Sequence, residues 1–444
     1  MLKIPLEPVF ITKLYKIMLQ KDVLITKKTF STNWWENTFL KKTDSLTKTF
    51  VFKDCISKNE TKIMRDDIID IIRSLCKLRT TQFGFRVYIE GKQLTNKEMD
   101  KIYDSPPNES ESIDNWAKRT FKNKKFGIII NRGEKINNEL AKRMANKISP
   151  LLDKVGTPIL GINFTIFIGD YGWTPLGIHS DAPGESVTHF HLGPGDKTMY
   201  TWNKEKYEEI AGDEKFNNKD VEKFLPHANV HPFKEGDLYY MPPNEFHIGK
   251  SDDLSIGLTL WFNNHLKRDL ARKLLSVVVD QYLEENTETM MPDKNGVEDL
   301  SAAQQAIDLF KLPEDLKKLP FKDFMQETFK DFRYSLYSNS GYGTRPFPKE
   351  VEVEFTMDDS IMLEKPFVIK YGESLDRENI LIYVRGTKLV INNHEGVKNL
   401  IDEINKGDKM TVKYAFSFLD NEWDESIGFY ILNLLDTHNG IKKL

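Results

Sequence analysis

Between Gly161 and Asn263 the chain is composed almost wholly of short apolar and aromatic runs broken by Gly, Pro, Asn and Asp, and this stretch limits the fold more than any other feature. Asn163–Ile168 (NFTIFI), Val187–Leu192 (VTHFHL), Lys197–Trp202 (KTMYTW), Asp237–Met241 (DLYYM) and Ser255–Phe262 (SIGLTLWF) are rich in β-branched and aromatic residues and have the length of strands. No helical pattern separates most of them. An antiparallel barrel or jelly roll is therefore expected, with the polar insert between Trp202 and Gly236 forming a loop with some helix.

The flanks have another texture. Thr61–Leu78 repeats Ile63, Ile68, Ile71, Ile72 and Leu75 at helical spacing, and Asn137–Lys154 carries Leu140, Met144, Ile148 and Leu151 on one face. Thr95 and Glu98 have capping-box spacing. Asp104–Ser112 (DSPPNESES) reads as a surface loop and Phe126–Asn131 (FGIIIN) as a buried strand. After Phe262 helical patterns return in Leu266–Glu284, Ser301–Phe310 and Pro320–Leu336. Ser338–Pro348 (SNSGYGTRPFP) has the composition of a linker. Beyond it, a hairpin around Arg385–Gly386 and helices at Gly396–Asn405 and Asp424–His438 are compatible with a winged helix. The expected division is residues 1–265, 266–340 and 345–444, the middle piece being a helical linker and candidate homodimerisation segment.

Charge narrows the function classes. The chain holds 63 Lys and Arg against 67 Asp and Glu, a formal net charge of −4, with no basic stripe. A phosphate backbone selects such a stripe, so nucleic acid is not an expected partner. No uncharged apolar run reaches the roughly 20 residues that a bilayer crossing needs, and no signal-like apolar core opens the sequence. No membrane partner is expected. Cys55 and Cys76 are too few for a Cys-rich zinc module or a disulfide framework. A cytoplasmic, reducing setting follows as the expectation, and such a setting keeps iron ferrous.

Seven of the nine histidines fall between His179 and His265. His179 and Asp181, in GDYGWTPLGIHSD, place an imidazole and a carboxylate where both can reach one cation. His247, in GDLYYMPPNEFHIG, offers a third ligand, presented from the turn that follows Pro242–Pro243. Two histidines and one carboxylate on one face of a metal leave three positions for a co-substrate and O2. A lone His-x-Asp recurs by chance, and a lone histidine is more often a hydrogen-bonded structural residue. Two separate motifs agreeing inside one strand-rich stretch carry the assignment.

Residues from about 22 to 264 resemble the JmjC-type, cupin-like 2-oxoglutarate-dependent oxygenases. Three stretches carry the resemblance: the strand leading into His179-x-Asp181, Gly195–Asp196–Lys197 opening KTMYTW, and Gly236–Pro242 (GDLYYMP) followed by His247. Lys21–Thr26 (KDVLIT), with Trp34 and Trp35, is similar to the family's opening strand. The resemblance implies an α+β protein with a double-stranded β-helix (jelly-roll or cupin) core, flanking helices, a helical segment and a C-terminal winged-helix-like domain. It implies Fe(II) held by His179, Asp181 and His247, 2-oxoglutarate as co-substrate and O2 as oxidant. Lys197 would anchor the distal carboxylate of 2-oxoglutarate, assisted by Thr174, Tyr200 or Asn263. The sequence departs from the family in two places: the aromatic residue that commonly follows the Lys closely is displaced to Tyr200, and the spacing between His179 and Lys197 is a little long. A cupin His-x-His reading of His189 and His191 would want a Glu a few residues on, and Gly193–Thr201 contains none; they are expected to line the pocket or to be structural.

The order of core, helices and small terminal unit resembles that of bacterial ribosomal-protein hydroxylases, which implies a side chain of a protein or peptide as substrate, a ribosomally made precursor peptide included. The alternative is a non-enzymatic metal-binding cupin regulator with a DNA-binding C-terminal domain, against which the acidic and apolar helix DESIGFYILNLLDTHNG argues. A zinc-dependent isomerase or hydrolase on the same barrel is a further rival.

Overall fold

The computed structural model describes residues 29–212 and 217–444. Contacts divide the chain into two compact units, residues 1–265 and 266–444. The strands of the first are β1 (Phe50–Phe52), β2 (Arg86–Ile89), β3 (Lys92–Gln93), β4 (Phe126–Asn131), β5 (Ile162–Gly169), β6 (Gly172–Trp173), β7 (Glu185–Pro194), β8 (Lys197–Trp202), β9 (Asn229–Phe233), β10 (Leu238–Met241), β11 (Phe246–Ser251) and β12 (Ser255–Asn263). They form an eight-stranded sheet in the order β1-β10-β7-β12-β5-β4-β2-β3 and a four-stranded sheet in the order β6-β11-β8-β9. From β5 to β8 the chain alternates strictly between the two sheets, and after β9 it does so again. Such alternation is expected of a double-stranded β-helix.

The large sheet is apolar on one face and mixed on the other. On β5, Ile162, Phe164, Ile166 and Ile168 are fully buried, while Asn163, Thr165 and Phe167 alternate with them toward a cavity between the sheets. Helix α1 (Lys58–Leu78), capped by Ser57, packs on β7. Its Ile68, Ile71, Ile72 and Leu75 are buried as the spacing predicts, whereas Ile63 faces outward. Helix α2 (Asn138–Val155) buries Leu140, Met144, Ile148 and Leu151. The Thr95–Glu98 capping box is formed.

Several expectations change. Lys21–Thr26 lies outside the described residues. Trp34 and Trp35 stand in a helical segment, Thr32–Leu40, because Ser31 caps its first turn and Trp35 is buried with Nε1 donating to the Lys147 carbonyl at 2.9 Å. His247, expected on a turn, lies on β11: Asn244 (φ 69°) reverses the chain after Pro242–Pro243, and a new strand starts at Phe246. The polar insert also holds a strand, β9, which tolerates Pro232 because it is the edge of the small sheet.

Gly236–Asp237 fixes where β10 begins. Gly236 takes φ +90°, and a Cβ there would lie 2.5 Å from the Ile56 carbonyl oxygen. The fully buried Asp237 carboxylate accepts hydrogen bonds from the backbone N–H of Asp54 and Lys234 and from Lys53 Nζ, each at 2.9 Å. Asp237→Ala strands two part-buried backbone donors and the Lys53 ammonium and is expected to cost about 2–4 kcal/mol, read as the shift in urea midpoint; a loss under about 1 kcal/mol would mean the turn is held by Gly236 alone.

The second unit contains helices Lys267–Tyr282 and α3 (Phe321–Ser338), with short helices at Ser301–Ile307 and Glu314–Lys317 between them. It also contains β13 (Ser360–Leu363), β14 (Lys370–Glu373), β15 (Asn379–Val384), β16 (Thr387–Asn392), α4 (Glu395–Lys406), β17 (Met410–Thr411), a short helix (Val412–Phe416), α5 (Glu425–Thr437) and β18 (Ile441–Lys443). The hairpin β15–β16 turns at Arg385–Gly386 as the sequence predicts. Strand β13 lies between β17 and β18. The stretch with linker composition is tied down: Ser338, Asn339 and Tyr342 are buried, and the buried Arg385 donates through Nε to Asn339 Oδ1 at 2.9 Å. Asp331 on α3 accepts from Tyr383 Oη and from Lys388 Nζ, which joins that helix to the hairpin. No helix among the described residues is long and apolar enough to cross a membrane.

Candidate metal centre and its cavity

The two sheets enclose a cavity of about 410 Å3 lined from both sides. At one end, outside regular strand, His179 forms a reciprocal backbone bridge with His247 of β11: His247 N–H donates to the His179 carbonyl at 2.8 Å, and His179 N–H to the His247 carbonyl at 3.2 Å. The bridge fixes the two imidazoles side by side, ring centres 4.4 Å apart. Asp181, two residues on, brings Oδ1 to 3.7 Å from His179 Nε2 and Oδ2 to 3.8 Å from His247 Nε2. All three ligand atoms lie within 4.8 Å of one another.

The tautomers follow from the hydrogen bonds. His179 Nδ1 is 2.9 Å from the Gly177 carbonyl and His247 Nδ1 is 3.2 Å from the Glu245 carbonyl. A carbonyl only accepts, so each Nδ1 carries the proton and each Nε2 presents a lone pair to the common centre. Burial, with the neighbouring His247, pushes His179 below the usual histidine range, and burial pushes His247 down to about 4. Burial raises the Asp181 carboxyl. Asp181 Oδ2 is buried and has no hydrogen-bond partner among the described residues. Neutral imidazoles beside an unsatisfied carboxylate form a donor set that a divalent cation completes.

Lys197 enters the cavity from β8. It is 6% exposed, its Nζ donates to Tyr171 Oη at 3.0 Å and lies 5.2 Å from the Phe167 ring centre. No carboxylate among the described residues pairs with it. Thr174 and Asn263 also line the cavity; the Thr174 hydroxyl donates to the Gly249 carbonyl at 2.9 Å, and Asn263 Nδ2 to the Gly161 carbonyl at 3.0 Å. Tyr200 does not reach the cavity. Strand side chains alternate, so Lys197 and Met199 face inward and Tyr200 faces away, against Trp173 with ring centres 5.1 Å apart.

Further residues in and around the cavity escape a reading by motif. Tyr171 holds Lys197. Tyr239 Oη, Trp261 Nε1 and His189 Nε2 are buried on the wall with no hydrogen-bond partner among the described residues. His189 is positioned by Thr259 Oγ1 at 2.8 Å and by Gly257, where a Cβ would come within 2.0 Å of the ring. His191 is held by the Gly195 carbonyl at 2.8 Å and is structural.

No family model matches the chain, and neither does any curated protein. Among solved structures it is similar to the ribosomal oxygenase YcfD from Escherichia coli, at 13% identity over 89% of this chain and 94% of that one, with a TM-score of 0.44. The YcfD complex with cobalt and 2-oxoglutarate gives 13% identity, the same coverages and a TM-score of 0.41. SnoK, a non-heme α-ketoglutarate-dependent carbocyclase from nogalamycin biosynthesis, is 13% identical over 33% of this chain and 70% of its own, with a TM-score of 0.24.

Proposed function

We propose that the two sheets form the double-stranded β-helix of an Fe(II)- and 2-oxoglutarate-dependent oxygenase that hydroxylates a side chain of a protein or peptide. One observation carries the reading: a two-histidine, one-carboxylate cluster and a buried Lys197 ammonium with no carboxylate partner among the described residues share one cavity. The cluster suits ferrous iron, and the ammonium suits a distal carboxylate. A solitary buried charge is costly unless a ligand neutralises it.

In this reading His179, Asp181 and His247 hold iron. When bound together, iron and 2-oxoglutarate supply an oxidant made from O2, with succinate and CO2 as by-products and one oxygen atom inserted into a substrate C–H bond. The chain's own residues do the rest. The Gly177 and Glu245 carbonyls keep both imidazoles in the ligating tautomer. Lys197, held by Tyr171, receives the co-substrate's far end, with Thr174 and Asn263 beside it. Phe167, Met199, Met241 and Trp261 keep the chamber largely apolar and exclude water around the oxidant.

A protein or peptide substrate is supported by the order of core, helices and terminal unit, and by a cavity of about 410 Å3, a volume that can hold a side chain. A winged-helix-like tail at 345–444 and dimerisation through 266–340 belong to the same proposal. The test is mass spectrometry of candidate peptides after incubation with iron, 2-oxoglutarate and O2. A gain of one oxygen atom with the wild type and none with His179→Ala is expected; succinate formation with no oxidised peptide in any pool would remove the peptide part of the reading.

A further inference from the structure

The wall of the cavity that β2 and β4 contribute carries two cations that the chemistry above leaves unused. Arg86 projects from β2, across from Ile129, and Arg132 follows the end of β4; both line the same cavity as the metal cluster. Arg86 Nε is buried and has no hydrogen-bond partner, and neither guanidinium makes an ion pair or side-chain hydrogen bond among the described residues. The acidic groups of the cavity are already committed. Asp181 belongs to the metal cluster, and Glu185 lies 3.3 Å from His265 Nε2 and accepts from the Ala182 N–H at 3.1 Å. Lys197 answers the co-substrate. The half-buried Arg86 and the solvent-exposed Arg132 are left on this wall, next to Asn131, whose Oδ1 accepts from Thr165 Oγ1.

A planar guanidinium matches a carboxylate through paired N–H···O bonds and cannot be neutralised by losing its proton. A cavity whose remaining charge is positive discriminates strongly against cationic guests. We propose that Arg86 and Arg132 bind a carboxylate carried by the substrate itself, so that the oxidised group belongs to an acidic residue of a peptide or to a free organic acid. This rests on the oxygenase reading, and it specifies the substrate class for that site.

The test uses the full-length protein loaded with manganese and 2-oxoglutarate, which binds without turning over. From a pool of randomised peptides it is expected to retain sequences enriched in Asp and Glu. A labelled acidic peptide is expected to bind about ten- to a hundredfold more tightly than its Asn or Gln counterpart, the range for a hydrogen bond to a charged group. Arg86→Gln should erase that selectivity, and Arg86→Lys should restore part of it. A purely structural arginine would not move the acid-to-amide ratio. Aspartate, glutamate and longer diacids are tested as competitors; displacement by them with no peptide retained assigns the wall to a free acid. Retention of neutral or basic peptides, equal acid and amide affinities, or no acidic ligand of either kind would overturn the inference. So would weakened 2-oxoglutarate binding in Arg86→Gln with peptide selectivity intact, which would give the arginine to the co-substrate. Arg86-dependent acid binding in a protein that never converts 2-oxoglutarate to succinate would end the oxygenase reading and leave the anion wall standing.

Discussion

Asp181→Ala is expected to abolish metal binding while leaving the metal-free fold as stable as before, or more so. Its carboxylate is buried, Oδ2 has no partner, and burial already raises its pKa, so the ionised side chain costs the folded state free energy at neutral pH. Removing it relieves that cost. With metal present the sign reverses. A cation at a hundred times its Kd adds about 2.7 kcal/mol to the native state, and the variant, lacking the one anionic ligand, should forfeit it all. The loss in affinity should exceed the roughly 10- to 100-fold that follows from removing a group behind a ligand. Thermal unfolding with and without cobalt or manganese reads both effects. Acid should mimic the substitution. Metal binding needs the carboxylate ionised, and because burial raises the Asp181 pKa, protons compete from a higher pH than for an ordinary aspartate. Burial holds His179 and His247 neutral to lower pH, so they do not compete over that range. Wild-type affinity should fall about tenfold per pH unit below the raised carboxyl value. An undiminished metal-induced shift in Asp181→Ala would place the ion elsewhere.

The candidate metal ligands were legible because they sit in two separate motifs, His179-x-Asp181 and the stretch ending in His247, and a strand period makes a facing pair plausible before any coordinates are seen. The support around them was less so. His247 reads as a turn residue since Pro242, Pro243 and Asn244 precede it, yet a positive φ at Asn244 finishes the reversal in time for a strand to start at Phe246. The strand, more than a loop, is what allows the backbone bridge to His179. Tyr200 illustrates the opposite case. Its exclusion from the cavity follows from parity alone, because a residue three places from an inward Lys197 must face outward. The partnership of Lys197 with Tyr171 was invisible, as it joins residues from β8 and from the turn between β5 and β6 through a fold that spacing does not specify. On β5 the alternation of Asn163, Thr165 and Phe167 with four buried aliphatic and aromatic residues held a usable signal: a sheet face more polar than its opposite, in a strand buried on both sides, looks into a chamber. Arg86 and Arg132 gave no such sign, since surface arginines are common and only the absence of a partner distinguishes them.

Lys197→Met is expected to raise the concentration of 2-oxoglutarate needed for half-maximal succinate release by about thirtyfold or more, with little change in stability. The substitution keeps the length of the side chain and removes its charge. In the protein without co-substrate Lys197 is 6% exposed, and its ammonium is bonded to one phenol and pairs with no carboxylate among the described residues, so its removal takes away a desolvated charge and not an ion pair. With 2-oxoglutarate bound the accounting differs. The distal carboxylate would lie buried without a counter-ion, and stranding one partner of a buried charge pair typically costs about 2–5 kcal/mol, or roughly thirty- to several-thousandfold in affinity. Metal binding should be unaffected, since no ligand is altered, and this separates Lys197→Met from Asp181→Ala. Tyr171→Phe should show the same defect in milder form, because it leaves the charge in place and releases only its position. If Lys197→Met binds 2-oxoglutarate as the wild type does, the ammonium faces some other anion, and the arginines on β2 and after β4 become the first place to look for the co-substrate's anchor.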